Sequence, residues 1–171
     1  MTNTWPLQRD CATFYGTPDA NGDGVPDRAW EDDNLAWVTP PFAMTLAWDV
    51  TKTVSRIRIH KLVAPSLARV LGVIWARFGC SNEAIQQARM HLYGGAYNFR
   101  MMRGSTKLSM HAYGCAIDHD PEGNPLGRAW RPNAGMLPKE VIDAYEGEGW
   151  VWGGRWTSRP DAQHFQAARV G

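Results

Sequence analysis

Ten residues, Ser109 to Asp118 (SMHAYGCAID), restrict the folds open to this chain more than any other stretch. Gly114, Cys115, Ala116 and Ile117 are small or apolar and run straight into Asp118, the pattern of a buried strand that delivers an acidic side chain to a fixed point. His111 falls on the turn before it. A His and an Asp at this spacing also occur on ordinary surfaces and in cores, and alone they establish little. They do provide two of the three protein ligands of a catalytic zinc site, whose remaining position is left for water. The C-terminal DAQHFQ offers a third in His164, with Asp161 one turn before it.

Around that stretch the chain divides unevenly. Residues 1–48 are rich in Pro, Gly and Asp, hold no sustained period and read as a loop-rich N-terminal part; residues 49–171 read as the catalytic core of one domain spanning 1–171. Within the first part, DANGDGVPD places Asp19, Asn21, Asp23 and Asp27 as in the first nine positions of an EF-hand-type loop, with Gly24 at the sharp turn. The twelfth position is Trp30 where a bidentate Glu belongs, and no helix leads in. Two readings stand: a partial calcium loop, and a solvated turn held by Asx-type hydrogen bonds.

Further on, VSRIRIH (Val54–His60) alternates as a strand does. Leu67, Val70, Leu71, Ile74, Trp75 and Phe78 recur at three- and four-residue spacing, with Pro65 in the opening turn and Gly79 at the close, so a helix with a core-facing stripe is predicted there. A short helix from Asn82 to Met90, capped by Ser81 or Asn82, should come next. AYNFR reads as a strand ending at Arg100, PKEVIDAY as a helix opened by Pro138, and VW and HFQ as short edge or closing strands. The class implied is α+β: a small single domain with an antiparallel sheet packed on helices and the metal site in a groove on the sheet.

Composition excludes more than it identifies. With 18 basic and 17 acidic residues there is no field to draw nucleic acid or an anionic membrane. No apolar run is long enough to insert into a membrane, and MTNTWPLQRD lacks the charged-then-apolar pattern of a signal peptide. Three cysteines, Cys11, Cys80 and Cys115, cannot all pair within one chain. Nine tryptophans are many for 171 residues, and they serve either a core or a groove; Trp152 and Trp156, in GWVWGGRW, are the candidates for contact with a substrate.

SMHAYGCAID, then GWVWGGRW, then DAQHF together resemble the zinc D-Ala-D-Ala carboxypeptidase family, and within it the branch of phage endolysins that act as L-alanyl-D-glutamate peptidases. The likeness runs from about Tyr97 to Gln166, weakens over Val54–Phe78 and is poor before that. It implies that His111, Asp118 and His164 hold a zinc ion and that Asp161 is the general base, a position where the family carries Glu or Asp. The family's substrate-stabilising arginine maps best onto Arg100, with Arg103 as the neighbouring candidate for the oxyanion. Ser109 has no base at a recognisable offset and reads as a turn hydroxyl, while His119 comes directly after a ligand in a strand and so faces away from it. His60 and His91 have no partner that the sequence names.

The function this resemblance implies is hydrolysis of the L-Ala–D-Glu amide of murein stem peptides, which lyses the host wall. The enzyme is expected to act as a monomer, to be made in the host cytoplasm, and to reach the periplasmic wall after another protein has opened the membrane. The alternatives are a D-Ala-D-Ala carboxypeptidase or dipeptidase with the same zinc machinery, and a non-catalytic wall-recognition or virion module. The loops MMRGSTKL and PEGNPLGRAWRPNAG should wall a groove open at both ends.

Overall fold

In the computed structural model, which describes residues 4–132 and 134–171, the stripe predicted over Leu67–Phe78 is the spine of the hydrophobic core. Helix α3 (Ala64–Arg77) starts with Pro65 in its first turn, where a missing N–H costs nothing, and buries Leu67, Val70, Leu71 and Ile74. Trp75 and Phe78 pack at its margin. The next helix, α4 (Asn82–Gln87), is capped by Ser81, whose Oγ accepts from Ala84 N–H at 3.2 Å. It stops short of the expected Met90, because the chain turns through a left-handed Arg89 (φ 58°).

Two sheets complete the α+β domain. The smaller pairs β1 (Leu35–Val38) antiparallel with β4 (Ile57–His60). The larger has six strands in the order β3 (Asp49–Thr53), β2 (Thr45–Leu46), β5 (Leu92–Gly95), β6 (Ala116–His119), β8 (His164–Gln166), β7 (Val151–Trp152). The expected antiparallel sheet is in fact mixed, since β2 and β5 run parallel. Parallel neighbours need a long crossover, and here it carries β3, β4, α3 and α4. Nor does α3 back the large sheet: it lies against α5 (Lys139–Gly147) and β1. The large sheet is covered instead by α5, whose Tyr145 stacks on Phe165 of β8 at 4.0 Å between ring centroids.

Other elements depart from the sequence reading in instructive ways. AYNFR is not a strand; the strand lies earlier, over Leu92–Gly95, and residues 96–100 are irregular. Their backbone groups are claimed by the site loop, with Asn98 N–H donating to His111 O and Ser109 N–H to Arg100 O. HFQ is an interior strand, flanked by β6 and β7. The N-terminal part is less loop-like than expected, containing α1 (Cys11–Tyr15), α2 (Arg28–Asn34) and β1, and it gives Trp5, Cys11, Tyr15, Trp30, Val38, Phe42 and Met44 to the core. These are single anchors on elements too short to show a period. Among the described residues no helix is long and apolar enough to cross a membrane.

Candidate active site

The chain reaches the site through a tight turn. Met110–Tyr113 form one 3-10 turn capped by Ser109, whose Oγ accepts from His111 N–H, and Gly114 then reverses direction at φ 64°. A side chain at Gly114 would stand 2.9 Å from the backbone nitrogen of His60, so only glycine lets the turn close against β4. From there β6 carries Asp118 outward, with His164 directly opposite on β8. Alternation puts Ile117 and His119 on the other face: His119 Nε2 lies 2.6 Å from Tyr145 Oη in the core, and burial lowers the pKa of its ring to about 4. Gly94 of β5 passes so near that a Cβ there would sit 2.9 Å from Asp118 Cβ.

His111, Asp118 and His164 bring three ligand atoms together. Asp118 Oδ1 is 2.9 Å from His164 Nδ1 and 3.3 Å from His111 Nε2, and the two imidazole nitrogens are 3.2 Å apart. The outer ring nitrogens are already engaged. His111 Nδ1–H donates to Ala96 O at 2.7 Å, and His164 Nε2–H donates to Gln166 Oε1 at 3.1 Å. Each ring therefore turns its other nitrogen inward, and two imidazole nitrogens and a carboxylate oxygen this close make a donor set suited to one cation. Ligands about 2.0–2.1 Å from a tetrahedral zinc stand roughly 3.3 Å from one another, so two imidazoles and a carboxylate at these separations fit zinc in chemistry and in scale. Burial opposes ionisation of Asp118, but the two histidines outweigh it and hold its carboxyl well below the usual range. Burial likewise opposes charge on His164, and Asp118 outweighs it, raising that ring's pKa.

A cavity of about 840 Å³ opens over these atoms. Asp161, Arg100 and Arg103 all line it. Asp161 is seated by close backbone packing: its N–H donates to Gly153 O at 2.9 Å, and a Cβ on Gly153 would lie 2.7 Å from Asp161 O. Burial raises the Asp161 carboxyl pKa, His164 partly offsets this, and the negative Asp118 adds to it. Its Oδ1 is buried with no protein partner. Arg100 and Arg103 are exposed at the rim.

The two candidate tryptophans separate. Trp156 lines the cavity, with its ring 5.5 Å from that of His164. Trp152 does not: it is 4 % exposed, donates its indole N–H to Ala162 O at 2.9 Å and packs on Phe165, so the substrate-contact reading is corrected to a core one. In the loop at 121–135, Pro121, Pro125 and Leu126 form cavity wall, while Trp130 turns inward and donates to Leu137 O; Asn133 of that loop lies outside the described residues. Arg155, Arg159, Gln8 and Gln166 also reach the cavity and were not singled out from the sequence. Only the Gln two residues beyond His164, on the same strand face, carried a signal that spacing alone could have flagged.

The Asp-rich loop behaves differently. Asp19 accepts the N–H groups of Gly22, Asp23 and Gly24, Asn21 accepts that of Asp23, Asp23 that of Val25, and Asp27 that of Ala20. Glu31 pairs with Arg58 at 3.6 Å instead of turning toward the loop. Among the described residues the one group of His, Cys, Asp and Glu placed to share an ion is His111, Asp118 and His164. These are the Asx-type hydrogen bonds that the solvated-turn reading expects, in a loop that joins α1 to α2. Cys11 and Cys115 are buried and Cys80 exposed, all as free thiols.

Residues 103–167 match a family model described as D-alanyl-D-alanine carboxypeptidase. No curated protein and no solved structure matches the chain. The matched segment contains the three converging ligands and Asp161, and it supports a metallopeptidase.

Proposed function

We propose that this protein is a zinc peptidase of peptidoglycan stem peptides, of the phage endolysin type, cutting the amide between L-Ala and D-Glu. The observation that carries the reading is the convergence of three ligand atoms in one cavity with the half-buried Asp161 carboxylate, whose Oδ1 has no protein partner. His111, Asp118 and His164 would hold the ion; when bound, zinc supplies Lewis acidity and brings the pKa of water down to about 7. Asp161 takes the proton from the attacking water and returns it to the leaving amine, and burial favours the proton-holding half of that cycle. Arg100 and Arg103 face the cavity from one loop, where a guanidinium can hold the oxyanion or the D-Glu carboxylate by paired hydrogen bonds. Trp156 and Arg159 stand on another loop of the rim, and Gly127 N–H bonds to Pro160 O at 2.7 Å, bracing that loop against the 121–127 wall.

In this reading the enzyme is a monomer made in the host cytoplasm that meets murein once the membrane is permeabilised. Cationic side chains on two rim loops favour an internal bond, since the stem continues past the ion on both sides. A carboxypeptidase, the activity in the family model's description, would gather its cations at one closed end. Digestion of purified muropeptides read by mass tests the choice. Release of disaccharide-L-Ala supports the endopeptidase; removal of single D-Ala residues from an intact stem overturns it.

A further inference from the structure

We infer that Gln166 is a positioning residue that sets the tautomer and ring angle of His164, braced by Gln8 from the N-terminal segment; this rests on the zinc reading of the cleft. Gln166 is 1 % exposed, and its amide cannot turn over. Nε2 donates to Ala168 O at 2.7 Å, so a flip would press two oxygens together there and present an N–H to His164. With the amide fixed, Oε1 faces His164 Nε2 at 3.1 Å and accepts its proton. The lone pair of His164 is thereby assigned to Nδ1, the atom 2.9 Å from Asp118 and 3.2 Å from His111. His164 and Gln166 are two apart on β8 and share a face, and the partners beside Gln166 in the sheet are Ala116 of β6, which is small, and Val151 of β7.

The brace comes from outside the segment that matches the family model. Gln8 Nε2 donates to the same Oε1 at 3.3 Å. Gln8 is held there by Arg169: Gln8 N–H donates to Arg169 O at 2.9 Å, Arg169 N–H to Pro6 O at 2.7 Å, and Arg169 Nε to Trp5 O at 2.8 Å. Trp5 is buried edge-on against Trp150, their centroids 6.3 Å apart. The N-terminal segment thus supports a ligand through two amides. The other imidazole, His111, is oriented by the backbone carbonyl of Ala96, which no substitution removes.

Partners of this kind to a ligating imidazole typically govern zinc affinity by about 10–100-fold. Zinc affinity by chelator competition, together with the ¹⁵N shifts of the His164 ring, tests the assignment in the full chain. Gln166→Met, similar in shape but without an acceptor, should lose about 10–100-fold in affinity and the slowly exchanging Nε2–H signal. Gln166→Glu keeps the acceptor but sets an oxygen against Ala168 O in place of the N–H donor, so it should recover part of the affinity at a cost in stability. Gln8→Met should show a smaller loss. Unchanged affinity and an unchanged Nε2–H signal in Gln166→Met overturn the inference. Should that variant fail to fold, the wild-type protein decides: His164 ligating through Nε2 and protonated on Nδ1 overturns it, and ligation through Nδ1 supports it. A wild-type chain that takes up no zinc overturns the reading of the cleft instead, and the His164 tautomer in the metal-free protein then decides this one.

Discussion

His60 and His164 are both buried imidazoles on short strands, and they lie in regions of opposite character. In the corner formed by α1, β1 and β4, His60 donates from Nε2 to Tyr15 O at 3.1 Å and accepts Leu62 N–H on Nδ1 at 3.1 Å. Both nitrogens are satisfied by backbone, burial lowers the pKa of the ring to about 4, and the residue is structural. In the cleft between β6 and β8, His164 has one nitrogen satisfied by the protein, and the other faces a carboxylate and a second imidazole. Burial and residue type do not separate a site from a core histidine. A ring nitrogen aimed at a carboxylate and a second imidazole does.

The sharpest way to break this comparison is to remove the inward-facing nitrogens. His111→Ala and His164→Ala should each empty the site of zinc and take peptidase activity to background, with metal content measured by atomic emission. Full activity in verified zinc-free protein would end the mechanism. Next, Asp161→Asn should retain zinc and the fold while losing roughly a hundred-fold or more in turnover, because the carboxylate handles protons and not the ion. Loss of zinc from that variant would make Asp161 a ligand.

The structural corner gives a different response. The His60 pKa is lowered from its ordinary 6.5 to about 4, so between those values the unfolded chain binds more protons than the native one. Its contribution is complete above the unfolded value and is lost as pH falls from about 6.5 toward 4, at most on the order of 3 kcal/mol. His119, also near 4, acts in the same window. Urea melts across that range should therefore steepen toward acid, and His60→Gln should flatten the curve without abolishing its slope. A variant as acid-sensitive as the parent would show that His60 is already neutralised another way. The smallest effect belongs to the Asp-rich loop. Asp19→Ala with Asp23→Ala removes side-chain acceptors of backbone N–H groups, at a cost of about 1 kcal/mol per substituted residue, and should leave zinc content and turnover unchanged. Millimolar calcium should not move the melting temperature if the loop is a solvated turn; a rise seen in the parent and absent in the double variant would establish the calcium reading.

Legibility in the sequence divides along the same line. His111, Asp118, His164 and Asp161 could be grouped because a small apolar run into an Asp and a His with an acid one turn before it are patterns of residue type. The Ala96 carbonyl that orients His111 could not be found that way, since every residue carries one. Trp152 and Trp156 are the same residue type four apart in one segment. Only the pairing of β7 with β8 turns the first into the core, while the second comes after a 3-10 turn and reaches the cavity. The strand expected in AYNFR does not form for a related reason: its backbone bonds are taken by the His111 turn, a long-range claim that alternation does not record. In the N-terminal part, Trp5, Tyr15 and Trp30 act as isolated anchors, and a search for periodicity passes over anchors.

Strands β6 and β8 pair Asp118 with His164 and Ile117 with Phe165, across 46 residues of intervening chain. A slip of one residue would set Phe165 or Gln163 opposite Asp118 and turn His164 toward α5. On the proposed reading of the cleft, zinc would be gripped in only one alignment of the sheet, and its binding energy would be added to that alignment and to no other. The ion would then work as a proofreader of strand pairing, and a chain that has docked its last hairpin one notch out of place would be identifiable by its failure to retain metal.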